Sequence, residues 1–66
     1  MSRIRGLRKS CGLSISQLSH QTGVNASALS WIELRKVVAS PAVREAISRF
    51  FDEKEEGLFR KNGLAI

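Results

Sequence analysis

The sequence predicts an all-α fold, a compact bundle of four or five helices. Only one of its 66 residues is proline, and no segment shows the alternation of apolar and polar residues that is typical of a half-buried strand. Helix-capping residues recur along the chain, each followed by apolar residues at helical spacing. We expect a single domain over residues 1–66, because a chain of this length supports one small core.

Each helix start is marked by a residue whose short polar side chain can accept hydrogen bonds from the first turn. These capping residues are Ser2, Ser14, Asn25 and Ser40. Gln17 completes a capping-box pattern with Ser14, and Pro41 is a first-turn proline for the fourth helix. The first helix covers about residues 3–11 and ends at Gly12, and the second ends at Gly23, where a positive φ is usually needed.

Apolar residues three or four positions apart give each helix one apolar face. They are Ile4 and Leu7, Ile15 and Leu18, Leu29 and Ile32, then Val43, Ala46, Ile47 and Phe50. The end of the bundle has two interpretations. Either Asp52 and Glu55 cap a fifth helix that carries Arg60 and Lys61 late and stops at 62–63, or the fourth helix continues to Glu56.

The charge of the chain favours a polyanionic partner. There are 11 Lys and Arg residues against 6 Asp and Glu residues, a formal net charge of +5. Residues 1–50 contain eight basic and two acidic residues, a balance of +6, whereas residues 51–66 contain three and four, a balance of −1. We therefore expect the nucleic-acid surface in residues 1–50.

Other classes of function are disfavoured. The lone cysteine, Cys11, cannot form an intrachain disulfide and indicates a reducing cytoplasm. No apolar run approaches the roughly 20 residues that span a bilayer, so no membrane partner is expected. Cys11 and His20 are too few soft ligands for a zinc site. We expect no metal, no cofactor, no small-molecule ligand and no enzymatic activity.

A set of residues spread over two helices and their turn has the spacing of a known DNA-binding motif. The set is Gly12-Leu13-Ser14, Leu18, Gly23-Val24, Leu29, Ile32 and Glu33. It resembles the Xre/Cro-like helix-turn-helix family over residues 3–56, with the motif at about 15–34. The resemblance implies a lambda-repressor-like bundle whose third helix enters the major groove of double-stranded DNA. It also implies a structural ion pair between Arg8 and Glu33.

The third helix is expected to contact base edges. At roughly 100° per residue, Ser27, Ser30 and Trp31 point away from its apolar face. Matched to the family residue by residue, the base-reading set is Ala26, Ser27 and Trp31, with Ser30 as a helper. Trp31 can press on thymine methyl groups, and Ser27 can hydrogen-bond a base edge. Two other placements of Trp31 stay open: in the core, or over Arg35 or the fourth helix.

Phosphate contacts are expected where free amides and basic side chains meet the DNA backbone. By the same resemblance, the candidates are Ile15, Ser16, Gln17, Asn25, Ala28, Arg35 and Lys36. Arg3, Arg5 and Lys9 can add contacts. Gln17 has a second interpretation, as the partner of the Ser14 cap. Relatives often have glutamine in place of Ile15 and glycine in place of Arg35, so this chain departs from the family there.

Residues 57–66 contain more apolar side chains than a monomer needs to close its core. Either Leu58 and Phe59 cover the bundle, or part of this segment forms a two-fold dimer contact. The candidate contact residues are Leu58, Phe59, Leu64 and Ile66. We expect a homodimeric repressor of phage or mobile-element type, associated with the nucleoid. The alternatives are an antitoxin that also binds a toxin protein, and a module that binds proteins only.

Overall fold

A computed structural model describes residues 2–66, within which the chain forms five helices around one core. The helices are α1 (Arg3–Ser10), α2 (Ile15–Thr22), α3 (Ala26–Glu33), α4 (Pro41–Phe51) and α5 (Glu55–Leu58). The prediction of an all-α bundle is confirmed. Met1, the first residue of the expected domain, lies outside the described residues. None of these five helices combines the length and the apolar character needed to cross a membrane.

The four predicted capping residues all begin helices. The hydroxyls of Ser2, Ser14 and Ser40 each accept a hydrogen bond from the amide three residues further on. Asn25 caps α3, since its Oδ1 accepts from the Ser27 and Ala28 amides. These bonds satisfy amides that have no partner inside the helix, and each such cap contributes about 1 kcal/mol to helix stability.

The structure corrects the end of the bundle. α4 ends at Phe51 because Asp52 takes a left-handed conformation, with φ 54° and ψ 46°. Asp52 thus closes α4 instead of capping the fifth helix, and the alternative of a fourth helix reaching Glu56 is wrong. α5 is a single turn whose N-cap residue, Lys54, makes no side-chain cap bond. It ends before Arg60, which the prediction placed in its last turn.

Every helix contributes to one apolar core. Its innermost side chains, each at most 2% exposed, are Ile4, Leu18, Leu29, Ile32, Ile47 and Leu58. Burying side chains of this size contributes about 1.5–3 kcal/mol each. Phe50 was predicted to lie on the apolar face of α4 but is exposed, whereas Phe51 packs against the core. The two rings meet edge to face, with centroids 5.0 Å apart.

Residues 58–66 fold back on themselves after α5 and form what we call the tail hairpin. Phe59 and Ala65 make an isolated antiparallel bridge. The Arg60 amide donates to the Leu64 carbonyl at 2.8 Å, and the Ile66 amide donates to the Leu58 carbonyl at 2.9 Å. Phe59 and Ala65 are both buried, so the tail hairpin is part of the core.

Candidate nucleic-acid interface

The turn between α2 and α3 is fixed by side chains of α2. Gly23 ends α2 with φ 75°, the left-handed conformation that glycine adopts at low cost. Ser19 Oγ donates to the Val24 carbonyl at 2.6 Å. Thr22 Oγ1 donates to the Leu18 carbonyl at 2.8 Å and accepts from the Val24 amide at 3.3 Å. Sequence reasoning did not single out these two hydroxyls, which fix the orientation of α3 relative to α2.

The outer face of α3 carries Ser27, Ser30 and Trp31, and all three are exposed. The opposite face is buried through Leu29 and Ile32. Trp31 is 48% exposed, so its placement in the core is wrong. The ammonium of Lys36 lies 5.4 Å from the centre of the Trp31 ring. A cation over the face of an indole is attracted by the ring quadrupole, which holds the two side chains together.

An ion pair joins α3 to α1. Arg8 Nε donates to Glu33 Oε2 at 2.8 Å, and Arg8 Nη2 donates to Glu33 Oε1 at 3.1 Å. A third bond runs from Arg8 Nη1 to the Leu13 carbonyl at 2.8 Å. Both side chains are at least nine-tenths buried. The bond to Glu33 raises the pKa of Arg8, and its effect exceeds the opposing effect of burial. The pair present here is the one that the family resemblance implied.

α3 ends in a turn of the kind that usually contains glycine. The Lys36 amide donates to the Trp31 carbonyl and the Arg35 amide to the Ile32 carbonyl, each at 3.0 Å. This is the Schellman arrangement, and Arg35 occupies its left-handed position with φ 59°. The turn places Lys36 one helical turn beyond Trp31.

The helix starts offer fewer phosphate contacts than predicted. The Gln17 amide and Oε1 both bond to Ser14, so the interpretation of Gln17 as the partner of the cap is confirmed. The Asn25 side-chain oxygen and the Ala28 amide bond to each other in the α3 cap. The side chains of Ala28 and Ile15 pack against the core. What remains at the start of α2 is the exposed Ser16 and the first two backbone amides of the helix.

Two of the basic candidates donate hydrogen bonds within the protein. Arg3 donates to Glu53 Oε1 at 3.1 Å and to the Gly57 carbonyl at 2.8 Å. Arg35 Nε donates to the Ala65 carbonyl at 3.1 Å. Lys36 lies beside the outer face of α3 through its contact with Trp31. Of the two cations that follow α3, Lys36 is therefore the better placed to reach phosphate.

The structure also corrects the predicted dimer contact. Leu58 is fully buried and Phe59 is 4% exposed, because both fill the core of their own chain. They offer no free surface to a second copy. Leu64 is half-buried, and Ile66 is 38% exposed. Sequence reasoning missed a larger exposed apolar set in the loop between α3 and α4, which consists of Leu34, Val37 and Val38.

The outer face of α3 offers both polar and apolar contacts. Two hydroxyls can donate and accept hydrogen bonds, and the indole offers a broad apolar contact. None of Ser27, Ser30 and Trp31 titrates near neutral pH. Among residues 2–66 no group of three or more His, Cys, Asp or Glu side chains could hold a metal ion.

Comparison with protein-family models matches residues 2–57 to a family described as a helix-turn-helix domain. Comparisons with curated proteins and with solved structures gave no match. The matched range contains the turn at Gly23, the Arg8–Glu33 pair and the whole of α3. It ends before the tail hairpin, whose residues therefore lie outside the family pattern. The chain belongs to the helix-turn-helix domain family.

Proposed function

We propose that this protein binds specific sites on double-stranded DNA as a repressor of the Xre/Cro-like type. A helix-turn-helix domain is a DNA-binding domain, and regulation of transcription is its usual task. The finer proposal is a homodimer that occupies a palindromic operator overlapping a promoter, as phage and mobile-element repressors do. It would act in the cytoplasm on the nucleoid, and we assign it no catalytic role.

The single observation that supports the proposal is that α3 has one buried face and one exposed face. Leu29 and Ile32 anchor the helix in the core, and Glu33 is fixed by Arg8. The residues on the exposed face of α3 have side chains that a major groove can accept. The proposed base-reading set is Ala26, Ser27, Ser30 and Trp31.

This set predicts an unusual kind of readout. It lacks the long Gln, Asn and Arg side chains that bond a base through two atoms at once. Small residues at the start of α3 allow a close approach to the groove, where the Trp31 ring can pack on thymine methyl groups. Specificity would then depend partly on DNA shape. Affinity would come mainly from phosphate contacts by Lys36 and the first amides of α2.

Homodimer formation is supported by apolar surface beside the tail hairpin. Leu34, Val37 and Val38 are 40–58% exposed, and Ile66 is 38% exposed. Leu34, Val37 and Val38 lie in the loop between α3 and α4. This loop is bonded to the tail hairpin, since the Ala39 amide donates to the Gly63 carbonyl at 3.0 Å. A two-fold contact through this surface would replace the predicted contact through Leu58 and Phe59.

Selection of bound duplexes from random DNA tests the proposal. We expect enriched sites with two related half-sites about 10 base pairs apart, centre to centre. The logarithm of the binding constant for a selected site should fall linearly with the logarithm of the salt concentration. A scrambled duplex of the same length is the matched control and should bind at least about a thousandfold more weakly. Absence of any salt-dependent affinity for DNA would overturn the proposal.

The antitoxin alternative is favoured by the same exposed apolar surface, because a toxin could cover it instead of a second copy. Light scattering at high protein concentration separates the two. A dimer with and without operator DNA supports the repressor. A stable monomer that forms a stoichiometric complex with one purified protein encoded beside it supports the antitoxin.

A further inference from the structure

The tail hairpin holds the loop that follows α3, although it lies outside the helix-turn-helix pattern. The Gly63 carbonyl accepts from the Ala39 amide at 3.0 Å, and the Ala65 carbonyl accepts from Arg35 Nε at 3.1 Å. These two bonds reach opposite ends of the loop between α3 and α4. The hairpin is itself anchored in the core, since Leu58 and Ala65 are both fully buried.

Arg35 connects the hairpin to the geometry of Trp31 and Lys36. Its backbone forms the Schellman turn that ends α3, in a left-handed conformation that is unfavourable for a side chain with a Cβ. Such a conformation persists when surrounding contacts enforce it. The bond from its side chain to Ala65 is one contact of this kind. The same turn directs the Lys36 amide to the Trp31 carbonyl and places the Lys36 ammonium over the Trp31 ring.

We propose that Arg35 is a positioning residue for DNA binding and that the tail hairpin acts through it. The Ala65 carbonyl of the tail hairpin accepts a hydrogen bond from the Arg35 side chain, and the Arg35 backbone forms the turn that ends α3. This turn keeps Lys36 beside Trp31. This inference rests on the proposed function, because it assigns Trp31 and Lys36 to the DNA surface. It replaces the expectation that Arg35 itself contacts phosphate.

A phosphate contact by Arg35 and a positioning role for Arg35 predict different salt dependences of DNA binding. A phosphate contact contributes about 0.9 to the slope of log K against log salt concentration, independently of the hairpin. A positioning contact affects the slope only through Lys36, so it should have no effect on the slope once Lys36 is replaced by alanine. Replacing Arg35 and displacing the tail hairpin should also have non-additive effects on the free energy of DNA binding, because both changes break the same connection.

Two variants break the connection from its two sides. Arg35→Met removes the Nε donor, whereas glutamine would place an amide donor at the same position. Gly63→Ala places a Cβ 2.5 Å from Val38 Cγ1 and 3.2 Å from the Ala39 carbonyl oxygen, at a φ of 91°, which forces the hairpin away from the loop. Arg49→Met is the matched control, because it removes one exposed guanidinium outside this connection. Circular dichroism identifies a temperature at which each variant is folded.

We expect each of the two variants to weaken operator binding about tenfold, as loss of one bond to a charged group does. The double variant should also lose about tenfold, and not a hundredfold. In a Lys36→Ala background, Arg35→Met should leave the salt slope unchanged. Additive losses, a slope lowered by a further unit in that background, or wild-type affinity in both variants would each overturn the inference.

Amide hydrogen exchange supplies a readout that does not depend on DNA. Both variants should speed exchange at the amides of Lys36 and Ala39, and Arg49→Met should not. If the wild type binds no DNA while these amides respond, the proposed function fails and the connection stands. If the wild type binds DNA and these amides do not respond, the connection is refuted.

Discussion

Replacing Glu33 with glutamine should destabilise the whole domain, because the carboxylate is the buried counter-charge of Arg8. The side chains of Arg8 and Glu33 are only 10% and 4% exposed. Arg8 donates to both carboxylate oxygens, at 2.8 and 3.1 Å. Glutamine of nearly the same shape keeps one acceptor and directs its amide group at a second donor. Glu33→Gln therefore leaves the guanidinium buried, without its counter-charge and short of one hydrogen bond.

The size of the effect follows from this geometry. Loss of one charge-assisted hydrogen bond costs about 1.5–3 kcal/mol, and removing one partner of a buried ion pair typically costs about 3–5 kcal/mol in total. A chain of 66 residues has a free energy of unfolding of roughly 3–10 kcal/mol. Glu33→Gln should therefore remove a third or more of the stability, and lower Tm by at least about 12 °C.

Urea unfolding followed by circular dichroism measures this difference directly. The matched control is Glu45→Gln, which breaks the i,i+4 pair between Glu45 and Arg49, whose side chains are 65% and 81% exposed. The control should cost no more than about 0.5 kcal/mol. Equal losses in the two variants would refute the argument that burial makes the Arg8 pair costly to break.

Three further predictions concern DNA binding and pH. Trp31→Ala should leave the fold intact, since the ring is 48% exposed, but should cost about 1–3 kcal/mol of specific binding in a titration by fluorescence anisotropy. Phe50→Ala, at 36% exposure, is the control, because Phe50 lies outside the proposed DNA and dimer surfaces. Unfolding by Trp31→Ala would contradict the placement on the DNA surface. Lys36→Ala should weaken specific and scrambled DNA alike and lower the salt slope by about one, and a loss confined to the specific site would exclude a phosphate contact. The pKa of Arg8 is raised in the fold. The contribution of Arg8 to the free energy of unfolding is therefore complete below the pKa of an arginine in the unfolded chain, and it is lost only as pH rises through the pKa of Arg8 in the folded protein. The Arg8→Met, Glu33→Gln double variant, which leaves no buried carboxylate without its counter-charge, should therefore change the unfolding free energy by the same amount at about pH 6 and pH 10. A change that shrinks between these values would contradict this assignment.

The helix-turn-helix region could be predicted from the sequence because its determinants are local. Ser14 and Gln17 form their capping box within one turn, and Gly23 supplies the positive φ at the end of α2. Such signals involve residues at most four positions apart, so they are visible without knowledge of the tertiary fold. The outward position of Trp31 likewise follows from the spacing of Leu29 and Ile32 on one helix.

The C-terminal part could not be predicted in the same way, because two residues take conformations that their own preferences oppose. Arg35 and Asp52 both adopt positive φ and end helices where glycine is the usual choice. Contacts far along the chain accompany the turn at Arg35, whose side chain bonds to Ala65. One local signal has two interpretations: Asn62-Gly63 is typical of a hairpin turn and also of the end of a helix.

The bond between the Arg3 amide and the Ile66 carbonyl has a consequence for the order of folding. The two atoms are 2.7 Å apart although nearly the whole chain separates them. Closing so long a loop costs more entropy than closing the turn between α2 and α3. We therefore expect the α2–α3 unit to form early and the tail hairpin to dock last, so that the folding rate reports on the slowest, most distant contacts. The proposed arrangement of Arg35, Lys36 and Trp31 would thus form only in the final step, when the tail hairpin docks.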